Sequence, residues 1–365
     1  MVNNLNILMI CVDHWPSALL GSNGHKVIKT PTLDYFVDHG IIFNNAYSEC
    51  PVCIPARRSM MTGLSPRNHG DRSYIERMPM PNVPTMAQVF RNNGYQAYAV
   101  GKMHVYPQRN RIGFDDVILA EEGRYQFGNT DDYQVWLNEN GYSGLEFAHG
   151  MSSNEYLSRP WHLPEQAHKT NWATRQMAKY VRRKDPGRPA FFYISYQYPH
   201  PPLVPIPAYL DMYEKNEIDE PNISADWIDS DNFVIKNRQI SGRKMSKKFI
   251  LDARRAFYAQ CTYIDHQIRL IIGTLREEKL LDKTIILFTS DHGDMLGNHY
   301  LWQKRLFYEY SSNVPMILSG SCLDYNDFLD ERLIGQTDIM PTLLELCNIN
   351  TVSYTHLTLP TIYSV

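Results

Sequence analysis

The sequence lacks long apolar runs, net charge of either sign and a secretory leader. No stretch of about 18 apolar residues occurs among its 365 residues, so no membrane-spanning helix is predicted. Thirty-six basic and 39 acidic residues leave a net charge of −3, which provides no global field to attract nucleic acid or an anionic membrane. The first apolar run, residues 5–12, has neither the basic lead nor the length of a signal peptide. We therefore expect a cytoplasmic protein with neither a nucleic-acid nor a membrane partner, in which any anion-binding chemistry is local.

Cysteines are also few. Six of them are dispersed along the chain, which suits free thiols better than a disulfide framework. Cys50 and Cys53 form the one closely spaced pair. The pair has two interpretations, a redox dithiol and half of a zinc site. A zinc site with four ligands normally needs a second closely spaced pair of cysteines, which the sequence does not contain.

What the sequence does contain is an alternation of short apolar runs with helical patterns. Strands buried on both faces are predicted over 5–12, 95–100, 189–196, 284–289 and 314–318. Thr30 and Pro31 mark a helix start, Gly40 marks its end, and the longest helix is predicted over about 247–278. The pattern predicts an α/β protein with a helix-flanked, mixed and largely parallel sheet. Two polar stretches, near 123–164 and 199–246, are predicted insertions that border the site.

Polar residues follow two of the predicted strands at the point where each strand ends. Asp13 and His14 follow the first strand, and Asp291 and His292 follow the strand over 284–289. Ligands of open α/β sheets bind at the carboxyl ends of strands, and these side chains suit a hard or borderline divalent ion. The pattern therefore indicates a metal site, with a turn or helix cap as the alternative for each aspartate.

Residues 50–63, CPVCIPARRSMMTG, form the most distinctive segment. Pro55 suits the first residue of a helix, which places Cys53 at the positive N-terminus with Arg57 one turn away. We expect this setting to lower the thiol pKa and to bind an oxyanion. The segment indicates a reactive cysteine, with a buried structural cysteine as the alternative.

This segment resembles the signature of the sulfatase family within the alkaline phosphatase superfamily. Cys53, Pro55 and Arg57 occupy its defining positions, and further landmarks follow in the family's order from about residue 5 to 347. The landmarks are Asp13, 30–34, 43–47, 101–104, 199–201, 263–265, 290–294, Lys304 and 336–342. The resemblance implies an alkaline phosphatase-like fold and a sulfuric ester hydrolase acting on a small aryl or sugar sulfate.

The resemblance also implies how the reaction proceeds. A formylglycine-generating or sulfatase-maturating enzyme would oxidise Cys53 to formylglycine, whose hydrate attacks sulfur and expels the alcohol. The remaining hydroxyl then collapses to the aldehyde and releases sulfate. One divalent metal ion would lower the pKa of the attacking hydroxyl and neutralise charge on the transferred group.

Roles for individual residues follow from their positions in the family's motifs. The implied metal ligands are Asp13, His14, Asp291, His292 and the modified Cys53. Arg57 would stabilise the hydrate, and His104 would take the proton during its collapse. Lys102, His200 and Lys304 would bind the sulfate oxygens or assist the leaving group.

His14 departs from the family pattern, because many sulfatases carry an aspartate there. Calcium is the family's expected ion, but histidine is a poor calcium ligand and a good one for manganese, zinc or iron. Related phosphonate monoester and phosphodiester hydrolases share the formylglycine machinery and often lack this aspartate, so their activity is an alternative. A truncated, inactive protein that binds a sulfated ligand is a further alternative.

The residues after Cys347 also depart from the family. Members continue into a smaller C-terminal subdomain, whereas residues 352–361 read VSYTHLTLPT, which resembles a translated sequencing adapter. We therefore expect one catalytic domain over 1–350, a truncated C-terminal subdomain and a non-native tail over 352–365. A native terminal strand is the alternative.

Overall fold

The computed structural model describes residues 5–122, 130–214, 217–223, 232–323 and 328–349. The strands in these ranges are β1 (Asn6–Val12), β2 (Gly40–Phe43), β3 (Ala46–Tyr47), β4 (Gln96–Gly101), β5 (Asp116–Leu119), β6 (Ala190–Ser195), β7 (Thr284–Ser290), β8 (Met316–Ser319), β9 (Phe328–Asp330) and β10 (Ile334–Gly335). The α-helices are α1 (Pro31–Asp38), α2 (Cys53–Thr62), α3 (Pro66–His69), α4 (Met86–Asn92), α5 (Asp132–Glu139), α6 (Lys169–Arg183), α7 (Pro207–Leu210), α8 (Phe233–Arg243), α9 (Lys247–Glu277), α10 (Glu309–Ser312) and α11 (Ile339–Leu346).

One eight-stranded sheet organises the fold, in the order β5-β4-β6-β1-β7-β8-β2-β9. Strand β8 runs antiparallel to both of its neighbours, and the other pairs are parallel. All seven residues of β1 are buried, because β6 and β7 flank it and helices cover both faces. The predicted mixed, largely parallel sheet is confirmed.

The two faces of the sheet have separate hydrophobic cores. Leu8 and Ile10 of β1 pack in the core that contains the buried faces of α1, α6 and α9. Ile7 and Met9 point to the other face and pack in the core with side chains of α2, α4 and α11. This alternation follows from the period of two in an extended strand, and it produces a sandwich of helices around the sheet.

The five predicted strands are confirmed to within two residues at each end. Strands β2, β5 and β9 were not predicted, because each has only three or four residues and no long apolar run precedes or follows it. The long helix predicted over 247–278 is confirmed as α9. The failure to predict β5 matters for the site, because Glu122 follows this strand.

Helix α1 begins at the predicted proline, but the Thr30 side chain does not cap it. The backbone N–H groups of Thr32 and Leu33 instead donate to the carboxylate of Asp265 on α9, at 2.8–3.0 Å. A carboxylate at a helix N-terminus satisfies N–H groups that have no partner within the helix. The landmark segments 30–34 and 263–265 are thereby joined by a structural contact.

The prediction that Gly40 closes helix α1 is wrong. The helix ends at Asp38, and Gly40 is the first residue of β2. A Cβ atom at Gly40 would lie 2.3 Å from the carbonyl oxygen of Leu318 on β8. Close approach of two strands therefore requires the glycine.

The predicted organisation of the chain stays a prediction. Residues 123–129, 215–216 and 224–231 of the two expected insertions lie outside the described residues, as does the whole expected tail over 352–365. Among the described helices, not one combines the length and the apolar character that crossing a bilayer requires.

Candidate active site

The carboxyl ends of the parallel strands bring the polar residues together. Asp13 follows β1, Lys102 follows β4, and Asp291 follows β7. Parallel pairing of β4, β6, β1 and β7 places these ends at one edge of the sheet. This edge is where open α/β sheets bind ligands.

Cys53 is the first residue of α2 and lies at the centre of this group. The prediction that the helix begins at Pro55 is wrong by two residues, because the proline occupies the third position of the first turn. Its Sγ is 3.1 Å from Nε2 of His292 and 3.1 Å from Nζ of Lys304. It is also 3.7 Å from Oδ1 of Asp13. The Cys53 side chain therefore contacts a lysine ammonium, an imidazole and a carboxylate at once.

The expected lowering of the Cys53 thiol pKa is wrong. Burial and the nearby Asp13 raise this pKa to about 12, and they outweigh the opposing effect of Lys304 and Lys102. Cys50, whose thiol donates to the carbonyl of Arg72 at 3.6 Å, also has a pKa raised by burial, to about 11. All six cysteines are free thiols. The unmodified Cys53 is therefore a neutral thiol, and the pair gives no support to a redox dithiol.

Four of the five predicted metal ligands form one buried group, and Asp291 lies beside it. Donor atoms of Asp13, His14, Cys53 and His292 all lie within 4.8 Å of one another. His292 Nε2 is 3.4 Å from Asp13 Oδ1 and 3.6 Å from Asp291 Oδ1. Two carboxylates and two imidazoles at these separations match the donor set of a single divalent ion. The side chains present therefore fit the metal that the resemblance implies.

His14 is held by a carboxylate on its far side. Its Nδ1 lies 2.6 Å from Oδ2 of Asp294, and the hydroxyl of Tyr156 donates to the same oxygen. Burial and the neighbouring Lys304 lower the pKa of His14 well below its usual range, so the ring is neutral. We assign the proton to Nδ1 from this network, which leaves the Nε2 lone pair to accept from Lys304 or to bind an ion.

Arg57 connects α2 to the ends of three strands. Its Nε donates to Asp291 Oδ2 at 2.9 Å, and its Nη1 donates to the Lys102 carbonyl at 2.9 Å and to Ser195 Oγ at 2.7 Å. Its Nη2 lies 4.0 Å from Asp13 Oδ2. The planar guanidinium thereby fixes Asp291 relative to Cys53 one turn earlier, and it adds a positive charge near Asp13.

The two aspartates differ in charge state. Burial opposes ionisation of Asp13, but Lys102, the surrounding histidines and Lys304 hold its pKa well below the usual value. Burial and the adjacent Asp13 raise the pKa of Asp291, and Arg57 opposes this rise. Like charges at short range cause this separation.

Glu122 joins three residues of the predicted catalytic group and was missed by the sequence analysis. Its Oε2 is 2.8 Å from Lys102 Nζ and 3.4 Å from His200 Nε2, and its Oε1 is 3.0 Å from His104 Nε2. His104 reaches the cluster through this carboxylate. The donor atoms of Asp13, Glu122 and His200 also lie close enough together to hold a metal ion. The Lys102 ammonium donates to both carboxylates, however, and already places a positive charge there.

The structure thus brings all of the predicted site residues into one cluster, and their roles remain predictions. Sequence reasoning missed Glu122, Asp294, Tyr156 and Ser195. Glu122 follows the carboxyl end of β5, so the rule that identified Asp13 would have found it had β5 been predicted. Asp294 lies within the landmark 290–294, whereas Tyr156 lies 138 residues from its partner and carries no local signal.

Comparisons with known proteins establish the family of this chain. Residues 5–349 match the family model named Sulfatase. An arylsulfatase of Clostridium perfringens is 36% identical over 362 residues, covering 94% of this chain and 75% of that protein. A choline-sulfatase of Rhizobium meliloti is 29% identical, covering 94% of this chain and 68% of that protein.

Among solved structures, the phosphonate monoester hydrolase of Agrobacterium radiobacter superposes with a TM-score of 0.82. The two chains are 21% identical, and the match covers 94% of this chain and 74% of that one. At this identity the likeness establishes the alkaline phosphatase-like fold. Because the family match spans nearly the whole chain and the Clostridium relative exceeds a third identity, this protein belongs to the sulfatase family.

Proposed function

We propose that this sulfuric ester hydrolase acts through a formylglycine made from Cys53. The family and the arylsulfatase and choline-sulfatase relatives support hydrolysis of a sulfate ester. The observation that carries the proposal is the position of Cys53 Sγ, 3.1 Å from both His292 Nε2 and Lys304 Nζ. An aryl or sugar sulfate is the substrate class that we propose.

Asp13, His14, Asp291, His292 and the modified Cys53 are the side chains that would hold the ion. A bound divalent ion supplies Lewis-acid stabilisation of the charge on the transferred group, and formylglycine supplies a hydroxyl nucleophile. We propose manganese, zinc or iron ahead of calcium, because two imidazoles lie among the donors.

The remaining side chains bind the substrate anion and move protons. Lys304 Nζ lies beside Cys53 Sγ, and Lys102 Nζ lies beside Asp13, so both ammonium groups face the reacting centre. These two lysines and His200 bind the sulfate oxygens. His104 donates from Nε2 to the Glu122 carboxylate at 3.0 Å, and its other ring nitrogen accepts a proton when the nucleophile regenerates.

The maturation enzyme is a second proposed partner. Cys53 is 5% exposed and every residue of α2 is buried, so the folded protein does not present this segment. We propose that conversion to formylglycine precedes burial of α2. Purified folded protein that contains unmodified Cys53 is then expected to resist conversion, and protein unfolded in urea is expected to accept it.

A substrate panel tests the function. Enzyme co-produced with a maturation enzyme is assayed on an aryl sulfate, an aryl phosphonate monoester and an aryl phosphodiester with one leaving group. We expect the highest kcat/KM for the sulfate. The presence of His14 favours the phosphorus esters as the alternative, and a higher kcat/KM for either of them would replace the proposal with that activity.

A further inference from the structure

Glu122 places a carboxylate among the very groups that are proposed to bind sulfate. Its two oxygens lie 2.8 Å from Lys102 Nζ, 3.4 Å from His200 Nε2 and 3.0 Å from His104 Nε2. The side chain is 18% exposed, whereas Lys102 is fully buried. A carboxylate at this position opposes the binding of an anion, because like charges repel.

The charge on Glu122 is stable near neutral pH. Burial acts to raise the pKa of this carboxyl group, but Lys102, His104 and His200 hold it well below its usual value. The adjacent backbone is also fixed, because the carboxylate of Glu121 accepts from the N–H groups of Met103 and His104 at 2.9–3.0 Å. Glu122 therefore remains close to the subsite even when its contacts change.

The formal charges of the site nearly balance. Arg57, Lys102 and Lys304 supply three cations. They are opposed by the carboxylates of Asp13 and Glu122, whose pKa values are lowered, and by that of Asp291, whose pKa is raised. Of the three carboxylates, Glu122 is the one outside the predicted metal ligands. Its negative charge therefore lowers the affinity of the subsite for anions without contributing to the ion's donor set.

Substrate and product of the proposed reaction differ in charge. Water and a sulfate monoester, which is a monoanion, give an alcohol, a proton and inorganic sulfate, which is a dianion at neutral pH. The bond between sulfur and the alcohol oxygen breaks, and water supplies the fourth oxygen of sulfate. Coulomb repulsion from a fixed carboxylate scales with ligand charge, so it opposes the product about twice as strongly as the substrate.

We propose that Glu122 is a charge-selecting residue of the sulfate subsite, which disfavours dianions and thereby promotes release of inorganic sulfate. This inference rests on the proposed function, because it places the sulfate among Lys102, His200 and Lys304. Glu122 lies beside the predicted metal ligands but is not one of them, and the inference gives it a role in specificity. The same charge disfavours phosphate monoesters, which are dianions at neutral pH.

Calorimetric titration tests the proposal on metal-loaded protein carrying Cys53→Ala, which prevents turnover. Methyl sulfate is the monoanionic probe, and inorganic sulfate is the dianionic probe. In the Glu122→Gln background we expect sulfate to bind at least about tenfold more tightly and methyl sulfate about threefold more tightly, because the repulsion scales with charge. Glu122→Asp keeps the charge and is expected to keep the original ratio of the two dissociation constants.

An equal change for both probes, or no change for either, would overturn the role of Glu122 and leave the proposed function standing. Absence of binding by both probes in the protein that retains Glu122 would overturn the sulfate subsite itself, and the inference with it. Unfolding midpoints identify a variant that fails to fold. Glu122→Met is a second uncharged variant of similar size, for which we expect the same change in ratio.

Discussion

At the scale of single residues, Arg57 shows why the family signature contains an arginine and not simply a cation. Its guanidinium binds the Asp291 carboxylate, the Lys102 carbonyl and the Ser195 hydroxyl in three directions. A lysine ammonium is a point charge on a flexible stem and does not reproduce this fork. The residue therefore orders the strand ends as well as adding charge.

Replacement of Arg57 by lysine is expected to lower kcat/KM by at least about 100-fold and to cost roughly 2–4 kcal/mol of unfolding free energy, because a buried ion pair loses its geometry. Steady-state assays and urea denaturation measure the two effects. Arg58→Lys is the matched control on the same helix, because Arg58 pairs with Asp71 at 3.5 Å outside the site. We expect that variant to lose stability while kcat/KM stays within about threefold. Equal loss of activity in both variants would contradict the assignment.

His14 is the predicted ligand that we propose sets the choice of ion. Its replacement by aspartate exchanges an imidazole for a carboxylate at a position where Asp294 and Tyr156 now hold the ring. We expect the ratio of Mn²⁺ to Ca²⁺ affinity to fall by at least about tenfold, because calcium prefers oxygen ligands. Calorimetric titration of chelator-treated protein measures both affinities directly. An unchanged ratio would show that His14 accepts a hydrogen bond from Lys304 and does not bind the ion.

At the scale of elements, the turn after β4 positions two predicted catalytic residues. Gly101 has φ of +105°, and a Cβ atom there would lie 1.9 Å from the Ser195 carbonyl oxygen on the neighbouring strand β6. Only glycine combines this backbone conformation with such close approach. Lys102 and His104 follow directly, and His104 itself has a positive φ of 56°.

Gly101→Ala is therefore expected to cost about 3 kcal/mol or more of stability and to lower kcat, because the strand ends must separate. Gly94→Ala provides the control, since Gly94 also has a positive φ of +85° but no atom of the described residues would lie within 4 Å of a Cβ atom added there. The control isolates backbone strain, for which we expect roughly 1 kcal/mol. Urea denaturation compares the two, and equal losses would contradict the role of close approach.

The same scale shows what the sequence could predict. Strands β1 and β7 are continuous apolar runs that end in aspartate, so both the strands and the metal ligands could be predicted from local pattern. Strand β5 has four residues, three of them partly exposed, so neither the strand nor Glu122 was identified. The Asp265 cap lies more than 230 residues from the helix that it caps. The sequence places no signal for such tertiary partners near either residue.

At the scale of the whole molecule, near-neutral composition coexists with a highly charged centre. The net charge of −3 excludes a global field, and the site instead concentrates buried cations and carboxylates at one sheet edge. Burial of this charged centre also explains why the prediction of a lowered pKa for Cys53 was wrong. Burial and the charge of Asp13 raise the pKa of Cys53 by more than Lys304 and Lys102 lower it.

Binding of the divalent ion is expected to stabilise the whole fold. At a free ion concentration of 100 times Kd, the gain in unfolding free energy is about 2.7 kcal/mol, because the ion binds the folded state. Urea denaturation with and without chelator measures this gain. Asp252→Asn, on the outer face of α9, is expected to retain it, whereas Asp291→Ala is expected to lose it. Equal unfolding free energies for the wild-type protein in both conditions would contradict the metal site.

The identity of residue 53 in the active enzyme tests the account most directly. Mass spectrometry of the peptide that contains Cys53 is performed on enzyme co-produced with a maturation enzyme, alongside sulfatase assays of the same sample. We expect an aldehyde at position 53 in proportion to activity, and Cys53→Ala to lower kcat by at least about 1,000-fold. Cys50→Ser is expected to keep full activity. Fully active protein with an unmodified thiol at Cys53 would contradict the central claim.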